Sequence, residues 1–167
     1  ILFATLFGLA VRVYRLDTPQ PWLDELTTLL YMSESWSRIR ELVLLDIHPP
    51  YYYLVQKLWI ELFGDSRFAA RMLPVLLGTI CIPLLYILGR RLVGQRAAII
   101  AAWLLTTAPL HVQYSRELRM YPLLCVSVLV ALIGLVYALP KPTTEHTMRR
   151  RLSAWLLYVS GCISVFF

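Results

Sequence analysis

The 167-residue chain is 59% hydrophobic and 16% charged, with a formal net charge of +6 and a mean hydropathy of +0.64. That excludes an ordinary soluble domain, whose apolar share is about 45–50%. It also argues against a nucleic-acid partner, because the basic residues are scattered among apolar segments and form no stripe with interleaved aromatics.

The composition predicts an integral membrane protein, all-α, a polytopic bundle of transmembrane helices. The missing initial Met and the apolar run that closes the sequence predict a piece of a longer chain. Ile1 to Leu16 is apolar but short for a full span, and it lacks the basic start and small-residue cleavage site of a signal peptide. Arg12 and Arg15 fall late in this run, three residues apart and so on one helix face. They either snorkel to lipid headgroups or hold a lipid phosphate.

Thr18-Pro-Gln-Pro21 breaks the first helix, and Trp22-Leu23-Asp24-Glu25 follows. Two adjacent carboxylates at a membrane face have two readings. Either Asp24 caps the next helix with Glu25 in its first turn, or Asp24 is a general base facing a site at the membrane surface. From 25 to 44 the apolar positions recur at helical spacing, but the opposite side is too polar for a span. This predicts an interfacial helix. Asp46-Ile-His48-Pro49-Pro50 then opens a second interfacial helix over 49–63, ended by Gly64. Tyr51, Tyr52 and Tyr53 at its start suit either the membrane–water boundary or the lining of a substrate groove.

Ser66, with Asp65, is placed to cap a span over 67–88, bent at Pro74, Gly78 and Pro83. Further spans are predicted over 93–114, 122–139 and 152–167, the first span being 1–16. Cys81, Cys125 and Cys162 each lie in an apolar run, odd in number and without CxxC spacing. They read as small buried hydrophobes and imply neither a disulfide framework nor a zinc site. The clustered bases of 90–96 and 141–151 mark cytoplasmic loops. The two interfacial helices then belong to the first extracytoplasmic loop, on the same side as a polar island, Ser115-Arg-Glu-Leu-Arg-Met-Tyr121. Nine of the ten acidic residues fall on that side, Glu145 being the exception. Arg116, Glu117 and Arg119 read at minimum as a loop ion-pair cluster.

Three islands thus share one face: Asp24-Glu25, Asp46-Ile-His48-Pro-Pro-Tyr51, and Ser115 to Tyr121. Their order, with Phe63-Gly-Asp-Ser66 and Arg71 between them, resembles the N-terminal part of fold-C (GT-C) membrane glycosyltransferases over about residues 1–140. The group it looks like comprises the protein O-mannosyltransferases and the lipid A aminoarabinose transferases. The resemblance implies that residues 1–167 are the N-terminal transmembrane part of a larger domain. It further implies an inverting hexosyl- or pentosyltransferase in a bacterial plasma membrane, with its site on the extracytoplasmic side. The donor would be a polyprenyl-phosphate sugar and the acceptor a protein, glycan or lipid hydroxyl. On this chain it makes Asp24 the general base, Glu25 its support, and Arg116 and Arg119 the charges against the departing phosphate. Glu117 and Tyr121 belong to the same island and would support the site.

His48 stands where the lipid A group has a lysine, and so either binds acceptor or metal or is a helix-opening, hydrogen-bonded residue with no ligand. Asp46, His48 and Glu117 form a candidate divalent-metal set of no recognised spacing, the one cofactor the reading leaves open, and the chemistry requires no general acid. A transporter or flippase-like protein and a non-catalytic membrane protein are the competing readings. The apolar stretches from Met72 to Leu88 and from Ala97 to Leu110 carry no charge, whereas a transport pathway places ionisable groups near mid-span.

Overall fold

A computed structural model describes residues 1–45, 50–139 and 148–166. Among them there is no strand. The helices run α1 (Leu2–Val13), α2 (Leu23–Ser33), α3 (Trp36–Leu45), α4 (Pro50–Phe63), α5 (Arg67–Leu92), α6 (Gln95–Thr107), α7 (Pro109–Tyr114), α8 (Tyr121–Ala138) and α9 (Met148–Phe166).

The longest helix, α5, is the axis of the bundle and packs against α1, α4, α6 and α8. Its 26 residues extend about 39 Å, enough to cross a bilayer. The Ser66 side chain caps it by accepting from the Ala69 N–H at 3.2 Å. Of the described helices, α5 and α8 are long and apolar enough to span, while α1 and residues 152–164 are apolar but shorter. Large apolar side chains point outward along the bundle, among them Phe3, Ile80, Ile100, Leu104, Leu132 and Leu156. Such an apolar exterior suits lipid.

Two predicted helices are each broken in two. The helix expected over 25–44 divides into α2 and α3, because Glu34 is extended and Ser35 Oγ accepts from the Arg38 N–H at 3.3 Å to start a new first turn. The stretch 93–114 divides into α6 and α7 at Ala108, held extended because Pro109 follows it. At the other end of α4, Gly64 adopts φ +94° and its N–H closes the last turn onto the Ile60 carbonyl at 2.8 Å.

One core lies between α2, α3, α4 and the start of α5, around Met32, Ile39, Tyr52, Tyr53, Ile60, Ala70 and Leu118. Tyr52 and Tyr53 are therefore core residues, and of the three tyrosines only Tyr51 is exposed. Polar tethers reinforce this core. Gln56 Nε2 donates to the Ala70 carbonyl at 3.0 Å and Trp59 Nε1 to that of Ala69 at 2.8 Å.

The α8–α9 pair is held differently, through small residues. A Cβ added at Gly161 would sit 2.6 Å from the Ala131 N, and one at Gly134 would overlap the Tyr158 backbone N. The two backbones touch at these points, as small residues permit in a membrane. Gly134→Ala is expected to cost about 1–3 kcal/mol by forcing the helices apart. Thermal unfolding of the detergent-purified protein checks this, with Leu132→Ala, at an outward position, as the neutral comparison.

Candidate active site

The chain leaves α1 through a tight turn over residues 14–18. Arg15 takes φ +51°, uncommon for a residue with a Cβ, and Thr18 Oγ1 donates to its carbonyl at 2.9 Å. This turn exposes a row of carbonyls, and two arginines from distant segments claim them. Arg71 Nη1 donates to Leu16 O at 2.8 Å and Pro19 O at 3.0 Å. Arg116 Nη2 donates to Tyr14 O at 2.9 Å and Arg15 O at 3.1 Å.

Arg71 also grips Glu25. Its Nε and Nη2 donate to the two carboxylate oxygens at 3.0 and 2.7 Å, a bidentate fork, and the Leu118 N–H donates to Glu25 Oε1 at 2.8 Å. The two side chains are 5% and 3% exposed. A charge pair this deep is tolerable only because both groups are paired and hydrogen-bonded. The clamp ties the exit of α1, the first turn of α2, the first turns of α5 and the 115–120 loop into one unit.

Adjacent helical residues point about 100° apart, so with Glu25 turned inward its neighbour Asp24 faces the rim. The Asp24 carboxylate is 45% exposed, with Arg119 Nη2 at 3.6 Å. The Arg119 guanidinium lies 5.9 Å from the Tyr121 ring centroid, and Tyr121 packs on Tyr114 at 4.8 Å. The α2 N-cap is Trp22, with no side-chain capping bond. Asp24 therefore does not cap the helix, and the capping reading of this residue is corrected. It occupies the first turn, at the positive helix end.

Beside the clamp opens a cleft of about 460 Å³, lined by Pro19, Trp22, Glu25, Arg71, Gln113, Arg116 and Glu117 among others. Asp24 and Arg119 are not among its lining residues. Glu117 accepts from Gln113 Nε2 at 3.1 Å. Burial raises its carboxyl above the ordinary glutamate value, and the Gln113 bond partly opposes that.

The structure thus brings Asp24, Glu25, Arg116, Glu117, Arg119 and Tyr121 to one end of the bundle, in two neighbouring sets divided by Glu25. The other expected site residues fall elsewhere. Arg12 is fully buried and directed inward, to the carbonyls of Gly8, Leu105 and Thr106 and to His111, so its guanidinium does not reach the Asp24 rim. Arg15 has an exposed side chain and contributes its backbone. Tyr51 is exposed at the start of α4. Asp46 and His48 lie outside the described residues, which leaves Glu117 as the one described member of the candidate metal set. Sequence reasoning assigned no role to Arg71. An arginine one turn into a long apolar run that Arg67 opens, downstream of an acidic pair, was the available signal.

A family model described as Dolichyl-phosphate-mannose-protein mannosyltransferase matches residues 47–164. The match runs from just before α4 through most of α9 and begins after the Asp24-Glu25 pair. No curated protein and no solved structure gives a significant match.

Proposed function

The chain belongs to the dolichyl-phosphate-mannose-protein mannosyltransferase family of membrane glycosyltransferases, and from that premise we propose that Asp24 is the base of a sugar transfer from a polyprenyl-phosphate carrier to an acceptor hydroxyl. The observation that supports this most directly is the contrast within one acidic pair. Glu25 is consumed by the buried clamp, whereas Asp24, fixed to the same turn, keeps a half-exposed carboxylate beside Arg119.

In this reading the acceptor oxygen attacks the anomeric carbon as the bond from that carbon to the phosphate oxygen breaks. The acceptor's proton passes to Asp24, and the lipid phosphate leaves with the electron pair. A single displacement of this kind inverts the anomeric centre. Phosphate is already a good leaving group, so the step calls for one base and for positive charge near the departing oxygens, without a general acid. Arg119 stands nearest to Asp24 and supplies that charge, while Arg116 and the cleft beside Glu25 would hold the carrier or the acceptor. The island around Arg119 lies on the extracytoplasmic side in this proposal, and the natural acceptor is a protein, glycan or lipid hydroxyl.

The test is transfer by the full-length protein in detergent or liposomes from synthetic polyprenyl-phosphate sugars. Arg119→Ala is expected to raise the donor KM by about tenfold or more, because a charge-assisted contact contributes about 1.5–3 kcal/mol. Arg119→Lys should recover part of the loss by keeping the charge without the fork. Folded protein that transfers no sugar from any such donor would overturn the proposal.

A further inference from the structure

Inside the bundle a second set of polar side chains meets. Cys81 comes from α5, His111 from α7 and Cys125 from near the start of α8. The two Sγ atoms and a His111 ring nitrogen all lie within 4.8 Å of one another. Cys81 is fully buried. His111 Nδ1 accepts a 2.8 Å hydrogen bond from Arg12, while His111 Nε2 is buried and the Cys125 thiol is a further polar neighbour of the ring. A buried ring nitrogen and two thiols are weakly satisfied by one another, and three soft ligand atoms converging within 4.8 Å point to a metal ion.

We propose that Cys81, His111 and Cys125 bind one thiophilic monovalent metal ion, of the copper(I) kind, in a three-coordinate site of two sulfurs and one nitrogen. Thiolate and imidazole donors suit a soft d10 ion. Ligand bonds of about 2.3 Å in a trigonal plane put the donor atoms about 4 Å apart, a small contraction from the spacing present. Charge selects the monovalent ion. Two thiols lose their protons and one +1 ion enters, which changes the local charge by −1 and offsets the buried Arg12 guanidinium. A zinc ion would leave a net positive charge in an apolar interior. It also favours four ligands, and among the described residues no fourth His, Cys or carboxylate joins the group.

The ring chemistry closes as well. Coordination through Nε2 moves the imidazole proton to Nδ1, where Ser115 Oγ lies 3.5 Å away. Ser115 spends its own proton on the His111 carbonyl, so its lone pairs remain open to accept. Nδ1–H can no longer accept from Arg12 Nη2, now 2.8 Å away, so the guanidinium has to turn off the ring and keep the carbonyls of Gly8, Leu105 and Thr106. The bound ion would join three helices, α5, α7 and α8. The proposal stands on this geometry and does not depend on the sugar-transfer reading.

The experiment titrates the reduced, purified full-length protein with copper(I), under argon, against a chromophoric copper(I) chelator. The expected result is one ion withdrawn per chain, with an X-ray absorption spectrum of three-coordinate copper bound by two sulfurs and one nitrogen. Cys125→Ser should weaken binding at least about a hundredfold, and Cys162→Ser, outside the group, should leave it unchanged. The spectrum is read on the unaltered protein, so a variant that fails to fold does not hide the answer. No copper withdrawn, copper bound through nitrogen and oxygen alone, zinc bound in preference, or a Cys81–Cys125 disulfide as the only product would each overturn the proposal.

Discussion

Asp24→Asn in the full-length protein is expected to slow single-turnover sugar transfer by about 10²- to 10⁴-fold, the usual contribution of a positioned general base. Folding and donor binding should be nearly unchanged. The substitution keeps size and polarity, and no cap is lost, because Trp22 occupies the α2 N-cap without a side-chain bond. The contact to Arg119 is long, at 3.6 Å, and the carboxylate is 45% exposed. Its loss should therefore cost only about 0–1 kcal/mol of stability. Rapid-quench transfer from a polyprenyl-phosphate sugar, with thermal unfolding of the same preparations, reads both quantities. Equal transfer rates would remove Asp24 from the mechanism.

Glu25→Gln should behave in the opposite way. It leaves Arg71 buried and charged beside a neutral amide, and breaking one side of such a pair costs about 3–5 kcal/mol. Arg71→Met is expected to cost a similar amount, since it leaves the Glu25 carboxylate buried against a single Leu118 N–H. The double variant Glu25→Gln, Arg71→Met should recover much of the loss, because neither charge then remains unpaired. Denaturant or thermal unfolding of the four proteins gives the cycle. Added salt should barely change the coupling, as the pair is shielded from water. Additive losses in the double variant would show that the two side chains act independently.

Much of the helical plan was legible in the residues. Long apolar runs marked α5 and α8, Ser66 announced the start of α5, and Gly64 the end of α4. The breaks were harder to see. The apolar spacing of 25–44 continues through Glu34 and Ser35, and only a competing side-chain cap at Ser35 divides it. Pro109 was visible, but the apolar run around it outweighed the restriction it places on Ala108.

At the site, sequence separated the acidic pair and the 115–121 island from the apolar background, because charge is costly there and so conspicuous. It assigned Asp24 the base and Glu25 its support, but not the buried clamp that turns Glu25 inward, since two adjacent acids differ in spacing only by the direction each takes from the helix. Nor did it identify Arg71, which pairs across 46 positions. Arg12 misled for a related reason. A basic residue late in an apolar run reads as a headgroup anchor, while its acceptors, apart from Gly8 in its own helix, lie on α6 and α7, almost a hundred residues away.

The clamp also sets an order of events in time. Glu25 leaves the ribosome long before its partners, with 46 residues still to come before Arg71 and 93 before the Leu118 amide. At about 5–20 residues per second, the last contact becomes available on the order of 5–20 seconds after the carboxylate itself. During that interval the acid must remain hydrated, because entering an apolar environment unpaired would be costly. Its segment therefore has to stay in water while α5 and α6 are made, and it docks only when the 115–120 loop has emerged ahead of α8. The Asp24 rim is consequently assembled near the end of this sequence, from a segment kept hydrated until the helices that will hold it have been made.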